Sequence, residues 1–107
     1  MATIAELLRA ARAKIERPEC WTRGECARDA DGHKIGVKSA RAASWCALGA
    51  MMAQGCTQRK AAEILAPHLP ENKCWLVYEY NDRDAAHADI LNLYDRAIAA
   101  SETSNAA

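Results

Sequence analysis

The sequence predicts a mainly α protein: about four helices around a buried central helix over about 40–54, with a small β-hairpin or loop insert over about 20–38. Three observations lead there. From Ala42 to Ala53 no side chain is charged, and Ser44 carries the only hydroxyl. A helix apolar on every side is a buried helix, because a surface helix keeps a polar face. Leu, Ile and Val total only sixteen residues, with no Phe, against twenty-four Ala. Alanine is the best helix former and lets helices approach closely, which leaves Trp21, Trp45 and Trp75 as the expected large core anchors. Three of the five glycines, Gly24, Gly32 and Gly36, fall in the insert.

The elements follow in order. Thr3-x-x-Glu6 is a capping box, and Ile4, Leu7, Leu8, Ala11 and Ile15 share one face behind it, so a helix is expected over about 4–16, closed by Pro18. Asp29-Ala30-Asp31-Gly32 is turn chemistry between two short arms, Glu25–Arg28 and Lys34–Val37. Two arms of that length are not stable alone and must lean on helices. Ser39 is the expected N-cap of the central helix and Gly55 its stop. A helix of about 18 Å there is too short to cross a bilayer. Thr57 caps a third helix over about 58–68, with Pro67 and Pro70 closing it. Cys74–Tyr80 reads as either a strand or a short helical connector. A last helix follows over about 84–100, with Ile90, Leu91, Tyr94 and Ile98 in its stripe. Residues 1–100 form one domain, and 101–107 are expected to fray.

Fourteen basic and fourteen acidic residues cancel, but unevenly. Residues 1–60 hold eleven Lys and Arg against six Asp and Glu; residues 61–107 hold three against eight. The expectation is that the two halves pack on each other; a basic face of residues 1–60 for nucleic acid is the weaker reading. Five cysteines, at 20, 26, 46, 56 and 74, form no CxxC pair, and no secretory leader is read before them. Glu6 and Glu16 argue against a transit segment. Reduced, mostly buried thiols in a cytoplasm are expected, with no metal site of paired spacing and no membrane association.

Trp21 with Ala27-Arg28-Asp29-Ala30-Asp31-Gly32, then Trp45-Cys46-Ala47-Leu48-Gly49-Ala50, then Asn81-Asp82 before the last helix, form a set. This set resembles an uncharacterised domain-of-unknown-function family of small bacterial and phage proteins. The resemblance runs from the first helix to Ala100. Tyr80 stands where a Trp is expected, and Arg83-Asp84-Ala85 replaces a Gly-bearing turn. It implies several helices with a small irregular insert and no assigned activity.

Candidate chemistry is sparse. Asp29-x-Asp31-Gly32 matches part of a calcium loop, but Ala27 and Lys38 stand where further acids belong, so a plain turn is expected. Cys46 with His87 and Asn81 or Asp82 supplies the residue types of a cysteine hydrolase. A thiol deep inside an apolar helix is instead a core thiol. Arg28, Asp29, Asn81, Asp82 and His87 form a polar group that is either a structural brace, with Arg28 forked onto Asp82 or capping the Asn81-Asp82 turn, or a small pocket. No phosphate loop, metal spacing or activated nucleophile appears, and no cofactor is expected. The reading is a cytoplasmic, non-enzymatic domain that binds another macromolecule, most readily a protein, as a regulator or phage accessory factor. The second reading is a ligand-binding or hydrolytic protein with its site at that polar group.

Overall fold

The structure, a computed structural model, describes residues 3–70 and 76–106. It is mostly helical, with five helices and one two-stranded antiparallel sheet. Helix α1 spans Ile4–Lys14 and opens on the capping box: Thr3 Oγ1 accepts the Glu6 N–H at 3.1 Å, and Glu6 Oε1 accepts the Thr3 N–H at 3.0 Å. Its buried face carries Leu8 and Ala11, with Ile15 just beyond. A single 3₁₀ turn, Pro18–Cys20, leads into strand β1, Ala27–Asp29.

Strand β2 is Ala42–Trp45, antiparallel to β1, with Ala27 opposite Trp45 and Arg28 opposite Ser44; an irregularity follows, so that Asp29 stands opposite Ala42. This corrects two expectations. The partner of the first hairpin arm is not Lys34–Val37, which contributes one isolated bridge, Arg28 to Lys34, and an Ile35 N–H donated to Ala27 O at 3.2 Å. The partner comes instead from the stretch expected to be the first half of the central helix. Helix α2 is only Ala47–Met52. A buried strand and a buried helix are both uncharged runs, and hydrophobicity alone does not separate them when each is this short. Nor does Ser39 cap α2. The N-cap is Cys46, whose Sγ accepts the Gly49 N–H at 3.2 Å. Every α2 residue from Ala47 to Met51 is buried, and α2 packs on α1, α3 (Gln58–Leu65) and α4 (Val77–Glu79).

Gly55, at φ 101°, turns the chain out of α2, and Thr57 Oγ1 caps α3 by accepting the Lys60 N–H at 3.1 Å. A 3₁₀ turn, Ala66–His68, ends that segment. After the one-turn α4, Tyr80–Asp84 form a π turn, closed by the Ala85 N–H donated to Tyr80 O at 2.9 Å. Of the connector Cys74–Tyr80, Cys74 and Trp75 lie outside the described residues; Val77–Tyr80 are helical. Helix α5 runs His87–Ala106, starting later than expected because the π turn runs through Asp84 and Ala85 is extended, and it continues into the stretch 101–107 expected to fray. It packs along α1, where Arg12 pairs with Asp95 at 2.7 Å and Arg9 pairs with Glu102. Two cations of the basic half are thereby held by acids of the other half.

The largest fully buried side chains are Tyr94, Leu8, Ile15, Met51 and Leu65. Trp21 and Trp45 are only half-buried, each under a cation: Arg23 over Trp21 at 4.9 Å and Lys14 over Trp45 at 4.4 Å. An indole N–H needs a partner, which holds a Trp at the edge of the core while Tyr94 fills its middle. Trp45 Nε1 donates to Val37 O at 3.0 Å, and the Tyr94 hydroxyl donates to Ala47 O. Burial pushes the Tyr94 hydroxyl well above its ordinary pKa.

The ribbon and α2 meet backbone to backbone at Gly49, where a Cβ would lie 1.9 Å from the Cys26 carbonyl oxygen. Backbone cannot yield as a side-chain tip can. We expect Gly49→Ala to lower the unfolding free energy by about 3 kcal/mol, the upper range for overpacking, in urea titrations; an unchanged midpoint would contradict this contact.

Candidate functional site

Two centres meet at the start of α2 and share Asp82. The first is built on Asn81, in the π turn, whose side chain is fully buried. Its Oδ1 accepts Trp21 Nε1 at 2.7 Å and the Ala47 N–H at 3.0 Å; its Nδ2 donates to Thr22 O at 3.1 Å and Asp82 Oδ1 at 3.0 Å. One carboxamide therefore joins the segment before β1, the first turn of α2 and the π turn. A buried amide is tolerated because both of its ends are satisfied. Asp82 Oδ1 also accepts the Gly24 N–H at 2.9 Å.

Arg28 does not reach Asp82. It donates to Thr22 Oγ1 at 3.0 Å, Gly32 O at 2.9 Å and Arg23 O at 3.0 Å, stiffening the loop from inside the ribbon. The guanidinium that crosses to the π turn is that of Arg23, donating to Asn81 O at 3.3 Å and to Ala85 O. Sequence reasoning missed it. Arg23 follows Thr22 and precedes Gly24 at φ 85°, but nothing in its spacing marks its target.

Asp29 stands apart from this centre. Its Oδ1 accepts the His33 and Asp31 N–H groups, each at 2.9 Å, which holds its carboxyl below the usual carboxylate range. With Asp31 and His33 it brings three ligand atoms within 4.8 Å of one another at an exposed turn. Asp29 serves that turn through its own oxygen, as Asx turns do. His87 is also placed structurally: its Nε2 bonds Ile15 O at 2.6 Å and its ring tilts against Trp21 at 5.9 Å. It is thus engaged away from Cys46, which is 5% exposed.

The second centre is a cleft that the sequence did not reveal. Its narrow end is lined by Glu25, Cys26, Cys46 and Asp82, and holds about 190 Å³. Its wide end, about 440 Å³, lies between α3 and α4, with Arg59 and Ala62 on one side and Leu76 and Tyr78 on the other. Leu48, Gln58 and Tyr78 line both ends, so the two adjoin. Leu76 and Tyr78 are each 47% exposed, among the few large apolar side chains left open. Cys26 precedes β1 and Cys46 follows β2, so the register Ala27 to Trp45 puts the two cysteines on the next rung. The Cys26 sulfur accepts a hydrogen bond from the Cys46 thiol, which lowers its pKa to about 6; the same bond and burial push Cys46 up. Pairing the arms within 25–37 turns Cys26 toward the wrong strand, which is why sequence reasoning passed over it. Among the described residues the four cysteines 20, 26, 46 and 56 are free, and only Cys46 is buried.

The fold and these centres define a small helical domain with one short ribbon, a buried polar junction and a lateral cleft. The chain belongs to a family of unknown function, DUF6197, which matches residues 1–100. No curated protein and no solved structure matches it. Among the described residues, no helix is long and apolar enough to cross a membrane.

Two outcomes are expected. Asn81→Ala leaves the Trp21 and Ala47 N–H groups without their acceptor, and should lower stability by about 3 kcal/mol, the scale for orphaned buried donors. A urea titration followed by Trp fluorescence reads it. Iodoacetamide labelling of Cys26 should rise with pH through a midpoint near 6 in the folded chain. In urea the midpoint should return to about 8.5, the ordinary thiol range. Thiolate is the reactive form, so labelling falls below the midpoint in both states.

Proposed function

We propose that this chain is a non-enzymatic, regulatory protein-binding domain, and that its partner docks in the cleft between α3 and α4. The observation that carries the reading is the half-exposed pair Leu76 and Tyr78, set over an apolar floor at Leu48. Exposed apolar surface beside a concavity marks interaction sites, and a Tyr anchors contacts well because it is large, rigid and polar at its tip. The size of the wide end suits one or two apolar side chains of a partner segment. Glu25 and Asp82 at the narrow end favour a basic residue beside that anchor. At the polar junction, by contrast, the Asn81 carboxamide is bonded to the protein at both ends, which supports a brace rather than a ligand pocket at that group.

The test is selection of peptides from a random library on the immobilised full chain. Binders should carry an aliphatic or aromatic anchor next to Lys or Arg. The double variant Leu76→Asp, Tyr78→Ala should weaken them at least about tenfold, about 1.4 kcal/mol, with unchanged circular dichroism. Peptides that bind the double variant as tightly as the native chain, or a library that yields no binder, would overturn the reading.

A further inference from the structure

We propose that Cys26 and Cys46 are an oxidisable dithiol, a modification site at the narrow end of the cleft, which hydroperoxides convert to an intramolecular disulfide. The inference stands on the ribbon geometry and does not depend on what docks in the wide end.

The register places the two residues on one rung. Ala27 faces Trp45, and the Cys46 N–H donates to Cys26 O at 3.1 Å, so Cys26 and Cys46 extend the ladder by one step. Facing residues of an antiparallel pair have Cα atoms about 4.5–5.5 Å apart, inside the span of about 4.4–6.8 Å that a disulfide needs. Both side chains line the same end of the cleft, so the Cβ vectors point to one side of the ribbon. Neither sulfur is part of a disulfide already.

The two thiols differ in access, and that difference assigns their roles. Cys26 is half-buried and open to the cleft, whereas Cys46 is nearly enclosed behind it, its Sγ held by the Gly49 N–H. Cys26 is therefore the group that meets the oxidant, and its low pKa leaves it largely as thiolate at neutral pH. Its sulfur attacks one oxygen of hydrogen peroxide. The O–O bond breaks, hydroxide leaves and takes a proton from solvent, and Cys26 becomes a sulfenic acid. The Cys46 sulfur then attacks the Cys26 sulfur. The S–S bond forms, the S–O bond breaks, and the Cys46 proton leaves with the departing oxygen as water. In sum two thiols lose two protons and two electrons, and the peroxide is reduced to two waters.

The experiment treats the reduced full chain with stoichiometric hydrogen peroxide and maps peptides without reduction. The expected result is a Cys26–Cys46 crosslink, loss of both thiols from iodoacetamide labelling, and their full recovery with dithiothreitol. Cys46→Ser keeps an N-cap side chain on α2. It should stop the reaction at a Cys26 sulfenic acid that dimedone traps. A crosslink from Cys26 or Cys46 to Cys20, Cys56 or Cys74 would overturn the pairing. Dimedone trapping of Cys26 in the native chain without any crosslink would overturn the role of Cys46, and no oxidation at either position would overturn the site. The native-chain map decides these outcomes whether or not the variant folds.

Discussion

The buried carboxamide of Asn81 is the constraint on which the arrangement depends. Its oxygen holds the indole of Trp21 and the first amide of α2, and its nitrogen holds Thr22 O and the side chain of Asp82. These groups come from three chain segments far apart in sequence. In a low-dielectric interior each such bond is strong, and each broken one leaves a desolvated polar group. The π turn around Asn81 follows from the same demand. An extra residue in the turn aims Asn81 inward while Tyr80 also stays buried, an arrangement typical of π insertions at places where side-chain direction matters.

The capping logic of the chain was legible at Thr3, Gly55 and Thr57 and misleading at Ser39. Thr3 with Glu6, Gly55 and Thr57 each do locally what their residue types favour, because caps and positive-φ turns depend on a few neighbours only. The stretch 40–54 was misread because its identity is settled by partners. Ala42–Trp45 is a strand only because β1 lies beside it, and the helix then starts at a cysteine, a residue outside the usual set of caps. The same missing register concealed the pairing of Cys26 with Cys46. It also concealed the division of labour between the two arginines: Arg28 looked inward along the chain and Arg23 across it. The sequence marks Asn81 and Asp82 as polar residues to be placed, but no spacing rule links an Asn to an indole sixty residues away.

The string Trp45-Cys46-Ala47-Leu48-Gly49 becomes intelligible position by position. Trp45 closes the strand and donates to Val37 O; Cys46 caps the helix; Ala47 presents an amide to Asn81; Leu48 floors the cleft; Gly49 lets the ribbon approach. Each residue type answers a local requirement of a strand passing directly into a helix. The family to which the chain belongs carries no assigned role, so these requirements are what the sequence itself offers for recognising the architecture.

The missing side chain at Gly49 has one mechanical consequence. With peptide planes of α2 and the ribbon in direct touch, and the Cys46 N–H tied to Cys26 O, these two elements have no compressible layer between them and must travel as one rigid piece. The opposite wall is fastened by side chains instead: α4 is a single turn, and the π turn after it is tied through the Asn81 carboxamide to the Ala47 N–H and through Asp82 to the Gly24 N–H. The groove thus has one wall seated by direct peptide contact and the other by polar side chains, so substitutions at Gly49 and at Asn81 disturb its two sides by different means.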